Sequence, residues 1–342
     1  MQHKISQPHP LLNEHGVLIE AGYDTSLTLS YERKTIKAPW FRIKEGDYYF
    51  LANEEFGIAI TVADYSYMGL DSITLFDFKS KSYITKNFIQ WLPRGNKALP
   101  TSSIHGDTRL VYDAYQIEIS HKEDYRIIDL RVKQFKDKKD LVARLILKSE
   151  PKQSMVNAIS FNNPKHFCLT QKINCLRVEG SISLGHDVIR FQPANTFGVL
   201  NWGRGAWSNK NTWYWGSASG LLHNHSFGFN LAYGLGNTTK ATENMILYQG
   251  KVHKLENVSF QIPLKEGNEV VLENWTITSD DQRFEMMFEP ILDYHFNSKS
   301  LFHSSTQHQI FGYFSGKVML DDGEILTIKR LFGFCEKITN NF

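Results

Sequence analysis

The segment from Phe197 to Asn244 concentrates the side chains best suited to hold and act on a small molecule. Four of the seven tryptophans (Trp202, Trp207, Trp213 and Trp215) fall within 14 residues, and eight of the 23 glycines fall within 39. An indole is a large flat surface whose N–H wants a partner, and glycine lets backbone come close to a ring or a ligand. Arg204, between Gly203 and Gly205, can lay a permanently charged guanidinium on an aromatic ring or an oxyanion. On a strand, Trp213 and Trp215 share a face and Tyr214 takes the other. Two readings stay open. The cluster is either a cavity wall of indoles with one cation, or a barrel floor that indole and guanidinium seal by stacking. Gly203-Arg-Gly205 is not a phosphate loop, because neither GxGxxG nor a helix follows it.

Acid and base groups lie in short runs outside that cluster. Glu45, Asp47 and Tyr49 share a strand face, either as site groups or as a barrel rim with an ion pair. Asp64 ends the apolar run Ile58–Ala63. It either points into a cavity, where burial would raise its pKa, or caps the turn at Tyr65-Ser66. Glu243 and Asn244 offer a carboxylate beside an amide, suited to hydrogen bonds with a sugar or a carbonyl, or to a loop cap. Asp64, Glu243 and Tyr49 are the candidate catalytic acid–base groups. Trp202, Arg204, Trp207, Trp213, Trp215, Glu45, Asp47 and Asn230 are the candidate ligand-binding residues. His223 and His225 share a face but lack a third ligand, so no metal is expected, and no cofactor motif occurs. Ser217 lies in Gly216-Ser-Ala-Ser-Gly220, whose strand context does not suit a nucleophile elbow.

Alternating polar and apolar residues must position these groups. Leu130 and Val132 alternate with Arg131 and Lys133. Leu141, Ala143, Leu145 and Leu147 alternate with Val142, Arg144, Ile146 and Lys148. Period two predicts strands with one buried face, joined at a polar turn over 136–140. Short strands with turns between them recur to the end of the chain and predict an all-β, antiparallel fold. One predicted strand covers 269–278; another covers 283–288 and ends at Pro290. The 342 residues carry 38 Lys+Arg against 36 Asp+Glu, a net charge of +2, which argues against a nucleic-acid partner. Three cysteines are too few for a disulfide framework. No apolar run is long enough for a membrane span and no signal peptide is evident, so a soluble cytoplasmic protein is expected.

Several motifs together carry a family resemblance. They are KEGDYY (Lys44–Tyr49), TVADYSYMG (Thr61–Gly69), LNWGRGAW (Leu200–Trp207), WYWGSASG (Trp213–Gly220), GFN (Gly228–Asn230), ATEN (Ala241–Asn244) and the closing run from Phe311 to Glu336. Together they resemble the bacterial family called domain of unknown function 2804, nearly end to end. That family usually has Trp where this chain has Gly46, and Asp where it has Asn201. An Asn there cannot serve as the acid or base that an Asp could be. More distantly, the chain is similar to carotenoid hydratase and AttH-like proteins, which have two lipocalin-like barrels in tandem. That resemblance implies barrel domains over 1–208 and 209–342, with a ligand site near their interface. Two functions follow as expectations. One is a cofactor-independent enzyme (hydratase, isomerase or lyase type) acting on a small, largely apolar or aromatic molecule, glycosylated or not. The other is a non-catalytic lipocalin-type small-molecule binder.

Overall fold

A computed structural model describes residues 2–148, 151–207, 210–300 and 303–341. The expected all-β, tandem lipocalin-like class is what it shows. Among the described residues, the helical segments are two single 3₁₀ turns, Arg33–Thr35 and Trp40–Arg42. No helix is long and apolar enough to cross a membrane. The 136–140 turn is a tight hairpin, with Lys136 opposite Lys139 and Asp137 and Lys138 both at positive φ.

The strands form two large curled antiparallel sheets. The first has 13 strands, all from the chain up to Ala206. Its long path runs from Ser82–Trp91 through Met68–Asp77, Phe56–Asp64 and Ile43–Ala52 to Phe197–Ala206, then Phe167–Leu184 and on to Thr108–Val111. The sheet curls until side chains near its two ends meet. Phe88 stacks on Tyr115 at 4.0 Å, and Gln90 Nε2 donates to the Tyr115 hydroxyl. The second sheet has nine strands between Asn211 and Asn341. Phe260 on one end strand closes it against Tyr233 at 5.7 Å.

Each sheet buries one face inside its own curl and turns part of the other face toward its neighbour. Within the first curl lie Tyr49, Leu51, Ile58, Ile60, Val62, Leu200 and Trp202. Within the second lie Phe229, Leu231, Trp275, Phe284, Ile310 and Phe314. Between the sheets, Phe50, Phe76 and Phe78 pack on Trp215, Phe311 and Phe334. A bulge at Asn174–Cys175 interrupts the ladder of Phe167–Leu184 and puts Cys175 at φ 59°. It aims Asn174 Nδ2 at Ser217 Oγ (2.8 Å) and Phe229 O (3.0 Å) of the second sheet, so the bulge acts as a joint.

Two strand expectations change. The predicted strand 269–278 is two short pieces, Asn268–Glu269 and Trp275–Ser279. Pro290 does not end its strand, which runs from Phe284 to Ser300 with a bulge between Pro290 and Leu292. The strand on its other side, Trp275–Ser279, pairs only as far as Phe288, so the missing N–H of Pro290 costs no ladder bond there.

The interior of the first curl is closed by a polar floor. Arg204 is fully buried and lies over the Trp202 indole at 4.4 Å. Its Nη1 donates to Asp47 Oδ1 at 2.7 Å, and its Nη2 donates to the Pro100 carbonyl at 2.8 Å. Removing one partner of such a pair strands the other charge in a dry site. Asp47→Ala should therefore cost about 3–5 kcal/mol in urea denaturation. A cost below about 1 kcal/mol would show that the floor does not depend on the pair.

Candidate functional site

A cavity of about 360 Å³ lies between the two sheets. That is the low end of the range for small-molecule sites. Its first wall is the outer face of the first sheet. Directly opposed residues in antiparallel strands share a face, and one such row runs Asn157, Thr170, Gly203, Gly46, Ala63, Leu70, Ile89. All seven line the cavity. The second sheet contributes Trp213, Tyr233, Phe296, Gln307, Ile338 and Asn340.

Two lysines stand in the wall. Lys172, two residues beyond Thr170 on the same face, is almost completely buried. Its Nζ donates to Asn201 Oδ1 at 2.8 Å, pairs with Glu243 Oε2 at 3.3 Å, and lies over the Trp215 ring at 4.9 Å. The Thr170 hydroxyl donates to the other Glu243 oxygen. Glu243 is held from behind as well. Asn230 accepts the Trp215 indole N–H at 2.7 Å and donates to the Glu243 carbonyl at 2.9 Å. Lys44 lies over the Trp207 ring at 4.9 Å. Burial, with Arg42 nearby, lowers its ammonium to about 7, so it exchanges a proton near neutral pH.

Other groups in the wall are held neutral. Burial pushes the Cys168 thiol and the Tyr67 phenol up to about 12 and raises the Tyr48 and Tyr65 phenols. Just behind the lining, burial lifts the Glu336 carboxyl to about 7 despite its bond from Gln307. The wall thus offers a poised amine, a fixed ammonium beside a carboxylate, and neutral donors on aromatic surfaces.

The candidate residues divide by strand parity. Trp207, Trp213 and Glu243 line the cavity, and Trp215 and Asn230 support it. Trp213 and Trp215 do share a face, with Tyr214 in the opposite core. Trp202, Arg204, Tyr49 and Asp64 face the interior of the first curl and do not line the cavity. For Trp202 and Arg204, the sealed-floor reading therefore describes what the structure shows. Asp64 accepts the backbone N–H of Ser66 and of Gly95, both at 2.8 Å, so it caps a turn and is no cavity acid. Burial holds the Tyr49 phenol at about 12, inside the apolar core. Glu45 and Asp47 border the cavity, but their carboxylates bond inward, to Tyr31 and Arg33 and to Arg204. His223 and His225 sit exposed at a hairpin, and no group of three metal-ligating side chains occurs among the described residues.

Sequence reasoning did not place Lys44, Tyr48, Asn157, Lys172 or Asn201 among the candidate site residues. The available signal was alternation. Once Asp47 and Tyr49 fill a barrel interior, Lys44 and Tyr48 must stand on the other face, and likewise Asn201 and Gly203 beside Trp202.

Two titrations follow. Lys44→Met should be more stable than the parent by a margin that opens as pH falls from about 10.5 and levels off below about 7, at about 3–5 kcal/mol. Glu336→Gln should gain on the parent as pH rises from about 4.5 to about 7, by about 3 kcal/mol, because the raised carboxyl binds its proton more tightly when folded. Chemical denaturation across pH reads both, and flat differences would contradict the burial of these groups.

A sequence comparison with curated proteins finds no significant match. Among solved structures, the chain is similar to kievitone hydratase from Nectria haematococca, with a TM-score of 0.53 and 9% identity over 87% of this chain and 88% of that one. An AttH-like protein from Nitrosomonas europaea aligns with a TM-score of 0.46 and 13% identity, over 87% and 92% of the two chains. CghA, solved with Sch210972, aligns with a TM-score of 0.47 and 7% identity, over 88% and 89%. At such identity the likeness to the hydratase is one of fold. The model of the family described as Domain of unknown function (DUF2804) matches residues 2–342, and the chain belongs to that family.

Proposed function

We propose that this protein is an enzyme that moves a proton on a small, largely apolar or aromatic molecule, glycosylated or not, in the cavity between the sheets. The reaction is of hydratase, isomerase or lyase type and runs without a cofactor. The units 1–208 and 209–342 each supply one wall. The observation that carries this reading is Lys44, an amine poised near neutral pH in the same wall as the Lys172–Glu243 pair. A proton-transfer group works best with a pKa near the working pH. Neutral Lys44 takes a proton from carbon next to a carbonyl. The C–H electron pair moves to the carbonyl oxygen, and the Lys172 ammonium stabilises the charge there. Where the enolate is conjugated with a C=C bond, returning the proton from Lys44 to the far carbon of that bond isomerises the substrate. Expelling a β-hydroxyl, which takes the proton from Lys44 and leaves as water, dehydrates it, and hydration is the reverse. Glu243 is retained from the acid–base candidates as the ion-pair partner that positions Lys172.

A non-catalytic lipocalin-type binder is the second reading. What favours it is that Lys172 and Glu243 already compensate each other. The two readings part on one experiment. Purified protein and its Lys44→Met variant are incubated with a small-molecule cell extract and followed by mass spectrometry. The enzyme reading expects a metabolite consumed by the parent and spared about 10²-fold or more by the variant. It also expects turnover to rise with pH through about 7 and level off above it, as a neutral amine base requires. A metabolite retained by both proteins and changed by neither makes the protein a binder.

A further inference from the structure

The Gly46–Gly203 pair is not demanded by the protein around it. Neither glycine has a positive φ. A Cβ built on Gly203 would come no closer than 3.8 Å to any atom, and one on Gly46 no closer than 3.6 Å, which is ordinary contact. Elsewhere in the sheets, glycines such as Gly205 and Gly312 press on backbone, where a Cβ would clash at 2.3 and 2.2 Å. The cavity pair instead leaves a bare strip. With Ala63 it spans three adjacent strands, about 10 Å at roughly 4.8 Å per spacing, which is the length of two fused rings. From behind, Arg204 Nη1 donates to both carbonyls, Gly203 O at 2.8 Å and Gly46 O at 3.2 Å, and braces the strip.

One end of the same row carries an unmet need. Asn157 is 2% exposed and lines the cavity. Its side-chain oxygen, Oδ1, has no hydrogen-bond partner among the described residues. A buried acceptor left so is costly, and it discriminates strongly between ligands that do and do not supply a donor. Its neighbour Thr170 cannot supply one, because its hydroxyl is given to Glu243.

We propose that the cavity binds a flat, fused-ring compound whose rings lie over Gly203, at the end of the bare strip, and extend across Thr170, with a ring hydroxyl donating to Asn157 Oδ1. This deepens the reading above by naming its substrate class, and it rests on that reading only for the chemistry that follows binding. The strip sets the shape of the ligand and Asn157 sets its polarity at one end. The indoles of Trp207 and Trp213 supply further flat apolar surface.

The test uses two probes, 2-naphthol and 2-methoxynaphthalene, which share a ring system and differ in the donor. Binding to the full chain is measured by calorimetry, with a thermal melt on every variant. The proposal expects 2-naphthol to bind at least about fivefold more tightly than the ether, the discrimination one hydrogen bond supplies. Asn157→Ala should erase that preference. Gly203→Val should melt like the parent, because its Cβ makes only ordinary contact, at 3.8 Å with Gly46 O, yet weaken 2-naphthol at least about tenfold by filling the strip. Equal binding of the two probes to the unmodified chain overturns the role of Asn157, and this comparison needs no variant to fold. A folded Gly203→Val that binds 2-naphthol undiminished overturns the strip. If the probes fail while the Lys44-dependent loss of a metabolite holds, the substrate class is wrong and the enzyme reading stands. If the probes bind as expected while Lys44→Met changes no turnover, the class is right and the protein is a binder.

Discussion

The pairing of Ile43–Ala52 with Phe197–Ala206 is the constraint on which the rest depends. It joins segments some 150 residues apart and sets Gly46 opposite Gly203. A strand has two faces, so this one register makes two structures at once. Inward it stacks Tyr49, Trp202, Arg204 and Asp47 into a sealed barrel floor. Outward it lays down Tyr48, Asn201 and the bare glycine strip. A slip of one residue would exchange the two sets, putting an ion pair into the cavity and an amide into the core. The inward ion pair pins the register, because Arg204 and Asp47 can satisfy each other in a dry site only when Trp202 stands opposite Asp47.

A second set of contacts turns two sheets into one site. The bulge at Asn174 sends an amide across to the second sheet. Phe50, Phe76 and Phe311 interlock at ring separations of 4.7 to 6.2 Å. Trp215 stands where the apolar seam meets the cavity. Its ring edge packs on Phe334, Lys172 lies over its face, and its N–H fixes Asn230 and so the Glu243 loop. One indole therefore holds the second sheet, the cation and the carboxylate in a common frame. This is how a residue that does not line the cavity still shapes its wall.

The wall of the site stores unfavourable charge burial. A lysine held near neutrality is less stable in place than an apolar side chain of its size would be, and the same holds for the carboxyl of Glu336. Such groups conflict with the local rule that charge stays in water; Lys44 and Glu336 stand at this cavity, while Lys254, lowered as far by burial, lies elsewhere with its Nζ bonded to Thr242 and to the carbonyls of Asn244 and Leu255. Conflicts of that kind concentrate where function is traded against stability. The polar floor of the first curl differs in kind. There, Arg204 with Asp47 and Lys97 with Asp71 meet as close pairs, at 2.7 and 2.5 Å, and the surrounding bonds satisfy them.

The sequence by itself determined the class of structure. Period-two alternation and turn spacing require antiparallel sheets, and the motifs that carry the family resemblance are read without coordinates. It also determined that Trp213 and Trp215 share a face, and it singled out Glu243, which lines the cavity. It could not say which face of each strand looks at a cavity. Alternation marks two faces, and in a chain where both are buried, one in a core and one in a joint, the hydrophobic pattern no longer distinguishes them. Hence Trp202, Arg204, Tyr49 and Asp64 read as site residues, while Lys44, Tyr48, Asn201 and Asn157 were not among the candidates. Lys172 was hidden for a related reason: its strand, Phe167–Leu184, is buried along most of its length and broken by a bulge, so no clean alternation announces it. Only the tertiary structure decides these matters. The choice of face depends on which distant strand pairs at which register, and that energy is spread over contacts between segments that never meet in the sequence.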